Sequence, residues 1–218
     1  MSSGAPEVSP ALYDYILEVG VREAPLLAEL RRETAGMEHA VMQIAPDQGQ
    51  FMGLLARLVG ARRYLEIGTF TGYSSLALAL AVPELRLTCC DVSAEWTAVA
   101  RRYWERAGVA ERVELRLAPA QETLAALKAE GAGESYDLCF IDASWEDRIA
   151  DYEAAFELMQ PGGLMLIDNV FAGGAVVGGS DSGGVGGVRR LNQRLHADER
   201  IDLALLPIAD GLTLARKR

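Results

Sequence analysis

The sequence predicts an open α/β fold: a doubly wound, mostly parallel seven-stranded sheet with helices on both faces, preceded by a helical segment. Three observations predict it. Short apolar runs alternate with longer amphipathic stretches from residue 63 onward, the spacing between runs fits right-handed crossovers, and the last two runs are too close together for one.

From Ser9 to about Val59 apolar residues recur at three and four, as in Leu12, Tyr15, Ile16 and Val19 and then Leu26, Leu27 and Leu30, which is helical periodicity. Pro25, Gly36 and Pro46 divide this region into several helices. Strands are expected at 63–68, 85–91, 112–117, 136–142, 163–168, 202–208 and 212–217. Helices are expected at 73–81, 94–107, 121–130 and 149–159, with another beginning near Arg189-Arg190. Only residues 209–211 separate the last two strands, so they form an antiparallel hairpin. One domain accounts for residues 1–218, with 1–60 as the helical segment and 61–218 as the sheet core.

Composition narrows the function classes. Half of the 218 residues are hydrophobic, enough for a packed core. A formal charge of −10 argues against non-specific nucleic-acid binding and against docking on anionic lipid. Cys89, Cys90 and Cys139 are an odd count without a CxxC pair, which suggests neither a disulfide framework nor a thiolate zinc site and suits a reducing cytoplasm. The start, MSSGAPEVSP, lacks a basic segment leading into an apolar run, and the longest aliphatic stretch, Leu76 to Val82, is far below the roughly 20 residues of a bilayer span.

Ligands of such sheets sit beyond the carboxyl ends of the strands, and that rule selects the residues that matter. The first strand runs into Glu66-Ile67-Gly68-Thr69-Phe70-Thr71-Gly72-Tyr73-Ser74 and then a helix. Glycines allow a tight turn there, and the free N–H groups of the helix start attract an anionic group. The G-x-x-x-G spacing is neither the dinucleotide G-x-G-x-x-G nor a phosphate-binding Walker loop, which disfavours a nicotinamide protein. Asp91, 23 residues after Gly68, ends the second strand where a ribose diol would be gripped; it and Ser93 also precede a helix, so a capping role stays open.

The fourth strand ends at Asp142 and the fifth at Asp168-Asn169. Three oxygen donors from adjacent strand ends suit a hard divalent cation such as Mg²⁺, although Asp and Asn equally cap helices and form turns. His39 and His196 are remote from these motifs and read as surface or helix-packing residues.

In order along the chain, MQIAPDQGQFMGLLARL, LEIGTFTGYSSLALALA, CDVSAEWTAVARRYW, FIDA, LMQPGGLMLIDNV and DGLTLARK resemble the cation-dependent, S-adenosylmethionine-dependent O-methyltransferases of the catechol and caffeoyl-CoA type. The resemblance covers about residues 42 to 217 and implies a class I methyltransferase fold, a homodimer and a small phenolic or other chelating hydroxyl substrate. For matching positions it implies that Met42 and Ile44 line the cofactor pocket, that Glu66, Gly68, Thr69 and Ser74 hold the methionine part, and that Asp91 holds the ribose with Val92 and Ala120 beside the adenine. It further implies that Asp142, Asp168 and Asn169 ligate the metal, with Asp142 also near the cofactor's amino group.

The chain departs from the family twice. The lysine that usually follows the FIDA motif and is assigned as general base is replaced by Trp145 in an ungapped alignment, and Trp cannot accept a proton. A one-residue shift aligns Trp145-Glu146-Asp147-Arg148 with the Trp-Lys-Asp-Arg run of animal catechol enzymes and puts Glu146 at the lysine position. Three readings stay open: metal activation suffices, Glu146 or Asp147 replaces the lysine, or methyl transfer is altered or lost. Trp145 is expected to pack over the cofactor or the acceptor ring. The second departure is the glycine-rich run from Phe171 to Val188, expected either as a mobile acceptor-side loop or as an uninvolved surface loop.

Overall fold

A computed structural model describes residues 8–178 and 182–218. Helices α1 (Pro10–Gly20), α2 (Pro25–Thr34) and α3 (Pro46–Leu58) each begin on a proline, whose missing N–H is not needed in a first turn. Ser9 caps α1 by accepting from Leu12 N at 3.3 Å, and a 3-10 turn at Ala40–Met42 leads into α3.

The strands are β1 (Arg63–Ile67), β2 (Arg86–Asp91), β3 (Val113–Leu117), β4 (Tyr136–Ile141), β5 (Met159–Ile167), β6 (Ile201–Leu206) and β7 (Leu212–Lys217). They form one sheet in the order β3-β2-β1-β4-β5-β7-β6. The first five are parallel; β7 inserts between β5 and β6, antiparallel to both. The helices between them are α4 (Tyr73–Ala81), α5 (Ala94–Arg106), α6 (Ala120–Ala129), α7 (Arg148–Leu158) and α8 (Gly183–His196). None of the described helices is long and apolar enough to cross a membrane.

Strand alternation divides the core in two. Tyr64, Leu87, Cys89, Leu138 and Phe140 face the layer built from α2 to α5. Leu65, Ile67, Cys90, Cys139 and Ile141 face the layer of α6 to α8. All three cysteines are buried free thiols, and burial pushes Cys90 up to about 12.

Most element boundaries fall within two residues of the sequence reading, β6 ending at Leu206 rather than 208, and two differ by more. Strand β5 starts at Met159, four residues before Gly163, because its first residues bulge: Tyr136 pairs with Met159, yet Leu138 pairs with Leu164. Helix α8 starts at Gly183, six residues before Arg189, so the later part of the glycine-rich run is helical. Two of its glycines pack against Trp145. A Cβ on Gly187 would stand 2.2 Å from the Trp145 carbonyl oxygen, and one on Gly184 would stand 3.1 Å from the Trp145 ring. Residues 172–174 form a 3-10 turn, and the middle of the expected mobile loop, residues 179–181, lies outside the described residues.

Candidate active site

Strand order reverses between β1 and β4, and the crevice at that switch point opens into a cavity of about 870 Å³. The β1–α4 turn forms one wall. Gly68 has φ +93, and a Cβ there would lie 2.0 Å from the carbonyl oxygen of Asp142, so only glycine lets the ends of β1 and β4 approach this closely. Asp91 clamps the turn: its Oδ2 accepts from Thr69 N at 3.0 Å and Phe70 N at 2.7 Å, and its Oδ1 accepts from Ser93 N at 2.8 Å. The capping of α5 itself falls to Ser93, whose Oγ accepts from Trp96 N at 3.2 Å. Phe70, Asn169 and Ala209 hold positive φ without being glycine and all line the cavity, a concentration of backbone strain at a ligand-sized space.

Most residues selected from the sequence converge here. Met42, Ile44, Gly68, Thr69, Ser74, Asp91, Val92 and Ala120 line the cavity, together with Asp142, Trp145, Asp168 and Asn169. Two do not. Glu66 is 0% exposed and lies beneath the turn, because it shares the face of Tyr64, whose hydroxyl donates to Glu66 Oε2 at 2.6 Å. Burial pushes its carboxyl up to about 7, and Oε1 is left without a partner. Glu146 is exposed and stands outside the lining, whereas its neighbour Asp147 belongs to it. His39 meets Trp96 edge-on at 5.8 Å, and neither His39 nor His196 lines the cavity.

The sequence reading missed Gln48, Asp151 and Asp210, which also line the cavity. Gln48 Nε2 donates to Asp168 Oδ2 at 2.8 Å, while Asn169 N donates to Asp168 Oδ1 at 2.7 Å. A helical signal for Gln48 existed, since it lies four residues from both Ile44 and Met52, which are buried. Behind the two acids, Arg148 is 1% exposed, donates through Nη1 to the Asp168 carbonyl and reaches Asn169 Oδ1 at 3.5 Å. Burial lifts the carboxyl of Asp142 well above the usual carboxylate range, and the charge of Asp168 lifts it further; burial lifts Asp168 as well. The arrangement thus concentrates acceptor oxygens at two strand ends beside a backbone-lined turn.

A family profile described as O-methyltransferase matches residues 17–218. The chain belongs to the O-methyltransferase family. It is 40% identical over 214 residues to catechol O-methyltransferase domain-containing protein 1 of Mus musculus, covering 97% of this chain and 81% of that protein. It is 37% identical over 219 residues to a caffeoyl-CoA O-methyltransferase of Eucalyptus gunnii, covering 96% and 88% of the two. Among solved structures, an O-methyltransferase from Bacillus cereus in complex with SAH matches with a TM-score of 0.87 at 31% identity, covering 95% of this chain and 97% of that one. As a member of this family the chain is a methyl-transferring enzyme with a Rossmann-like core.

Proposed function

We propose that this O-methyltransferase moves the methyl group of S-adenosylmethionine to a hydroxyl of a small, catechol-like chelating acceptor, with a divalent cation held by Asp142, Asp168 and Asn169. The observation that carries the reading is that these three side chains, the Gly68–Ser74 turn and Asp91 line one and the same cavity. SAH in the Bacillus relative is the demethylated form of that donor and supports the cofactor assignment.

The donor's methionine part fits against Gly68, Thr69 and Ser74, and Asp91, already oriented by two backbone N–H groups, offers its remaining lone pairs to a ribose diol. Met42, Ile44, Val92 and Ala120 supply apolar walls for the rest of the donor, and the Asp142 carboxylate suits its amino group. Glu66, outside the cavity lining, supports the turn from beneath, its carboxylate fixed by the Tyr64 hydroxyl on the same strand face.

The three side chains suit a hard dication. Two carboxylates and an amide oxygen are hard donors, and the mutual burden of Asp142 and Asp168 is what a dication relieves. Each carboxylate oxygen has more than one lone pair, so the bonds from Gln48 and Asn169 leave Asp168 able to ligate. Among the described residues no trio of His, Cys, Asp and Glu could hold a metal, so the set rests on two acids and one amide, with other positions left to solvent and acceptor. When bound, a dication lowers the pKa of a coordinated hydroxyl, which for a free phenol is near 10.

Methyl transfer from a sulfonium is an in-line displacement, so the chain's task is to align the acceptor oxygen and exclude water. Trp145, lining the cavity and pinned against α8, offers a flat apolar wall for an aromatic ring. No lysine, arginine or histidine lines the cavity among the described residues, so the proton of the acceptor goes to a carboxylate or to solvent; on this segment Asp147 is the carboxylate in position, not Glu146. The resemblance supports a homodimer as the working form, and three free, buried cysteines suit a reducing cytoplasm.

The test is product analysis by mass spectrometry with S-adenosylmethionine and a catechol panel, with and without EDTA. A monomethylated catechol whose formation EDTA abolishes is expected. Turnover indifferent to EDTA removes the cation, and tight donor binding without any product favours a protein that has lost methyl transfer.

A further inference from the structure

The cavity has a charge pattern that sequence similarity to caffeoyl-CoA enzymes does not suggest. Six aspartates line it: Asp91, Asp142, Asp147, Asp151, Asp168 and Asp210. Among the described residues no lysine, arginine or histidine does. Arg148 is buried behind the acids, with Nη1 on the Asp168 carbonyl and Nη2 at 3.5 Å from Asn169 Oδ1. The residues outside the description, 1–7 and 179–181, contain no basic side chain either. A second, independent feature points the same way. Gln48 lines the cavity, is 0% exposed and has a carbonyl oxygen, Oε1, without a hydrogen-bond partner, which asks for a ligand that donates.

The donor and a dication neutralise only part of this charge. The sulfonium and ammonium less the carboxylate bring one positive charge and the cation two, so six formal negative charges fall to three, and to two once the buried Arg148 behind them is counted. Asp91, Asp142 and Asp168 are the acids those ligands engage. Asp147, Asp151 and Asp210 have no counter-charge from those ligands: Asp151 accepts only a neutral amide bond from Gln121 Nε2 at 2.6 Å and Asp210 one from Gly173 N at 2.7 Å, and Asp210 is close enough to Asp168 to raise its carboxyl. The whole chain adds its own repulsion, with a net charge of −10.

We infer that this enzyme selects its acceptor by charge, taking chelating hydroxyl compounds that are neutral or carry a protonated amine and rejecting anionic ones, CoA thioesters included. This rests on the proposed methyl transfer and extends it. A polyphosphorylated CoA arm would bring its phosphates to a cavity lined by Asp147 and Asp210 and, among the described residues, by no basic side chain, whereas an ammonium group would find carboxylates there.

The experiment compares four acceptors that share a vicinal diol: dihydroxybenzylamine, dihydroxybenzyl alcohol, dihydroxybenzoate and caffeoyl-CoA. At low salt kcat/KM for the amine and the alcohol should exceed that for the benzoate and the thioester by about tenfold or more, and the gap should shrink at high salt as surface charges are screened. The double variant Asp147→Asn, Asp210→Asn should narrow the amine-to-benzoate ratio several-fold. Benzoate or caffeoyl-CoA turned over as well as the amine overturns the inference. If no acceptor is methylated, it is the methyl-transfer reading that fails; the charge order is then read from calorimetric binding of the same four compounds to the SAH-loaded protein, where a flat order, a reversed order or no binding overturns it.

Discussion

Gln48 on α3 donates from Nε2 to Asp168 Oδ2 at 2.8 Å, joining residues 120 positions apart and fastening the helical N-terminal segment to the carboxyl end of β5. Both side chains are buried, so the bond fixes one carboxylate oxygen of the candidate cation set without solvent competition. Replacing the amide leaves a buried carboxylate short of a donor. Gln48→Leu should therefore lose about 1–3 kcal/mol of stability, read as a fall in the thermal midpoint, and should weaken Mn²⁺ binding measured by paramagnetic resonance. An unchanged midpoint and unchanged Mn²⁺ affinity would show that the bond positions nothing.

Asp142 and Asp168 make opposite contributions to stability and activity. Each carboxyl is lifted by burial, so each ionised side chain costs the fold at neutral pH. Asp142→Asn removes one charge with little change of shape. The metal-free variant should melt at or above the parent's temperature, while its turnover of a catechol falls by at least about two orders of magnitude, because a dication supplies several kcal/mol of charge stabilisation. Calorimetric unfolding and a single activity assay test both halves, and a variant that lost stability together with activity would contradict the first.

Glu66 gives a pH dependence with a definite sign. Its folded pKa of about 7 exceeds the ordinary value of 4.5, because burial disfavours the charge more than the bond from Tyr64 favours it. Between those two values the folded state binds the extra proton, so this group makes the protein lose stability as pH rises from 4.5 to 7, and the penalty is complete above 7. Glu66→Gln keeps an oxygen for the Tyr64 hydroxyl and removes the charge. It should be more stable than the parent by roughly 1–3 kcal/mol at pH 8, with the difference closing as pH falls toward 4.5. Urea denaturation at three pH values measures it; a constant difference would place the carboxyl's titration outside that window.

Where the sequence was transparent and where it was opaque follows from the range of the forces involved. Period-two and period-four patterning is local, so α4 at Tyr73–Ala81 and β7 at Leu212–Lys217 were legible to the residue. The short link before β7, read as three residues and five long in the structure (207–211), carried the hairpin, and the strand-end rule brought Asp91, Asp142 and Asp168 to one edge. Depth was harder. Glu66 sits in the same motif as Gly68, and only its sharing a strand face with Tyr64 tells that it points under the turn. Gln48, Asp151 and Asp210 reach the cavity from separate elements, an outcome of tertiary packing with no short-range mark. The start of α8 was hidden because glycine has poor helix propensity, and here packing against Trp145 overrides it.

That packing makes Gly187 a sharp probe of the acceptor side. Its Cβ position lies 2.2 Å from the Trp145 carbonyl oxygen, a backbone atom that cannot rotate away, so Gly187→Ala forces α8 and the segment ahead of α7 apart. Relief of such overpacking costs typically about 1–3 kcal/mol, offset in part by the better helix propensity of alanine. Trp145 and Asp147 line the cavity from the β4–α7 segment and Asp91 from the end of β2, so the displacement should fall on the acceptor and spare the donor. The expected result is a severalfold rise in KM for a catechol with donor affinity, measured by calorimetry, within about twofold of the parent. Gly184→Ala, whose Cβ would meet the Trp145 ring at 3.1 Å, should do the same more weakly, because a side chain can give way where a carbonyl cannot. Equal losses of donor and acceptor binding in both variants would mean that the contact supports the fold as a whole and has no particular bearing on the acceptor.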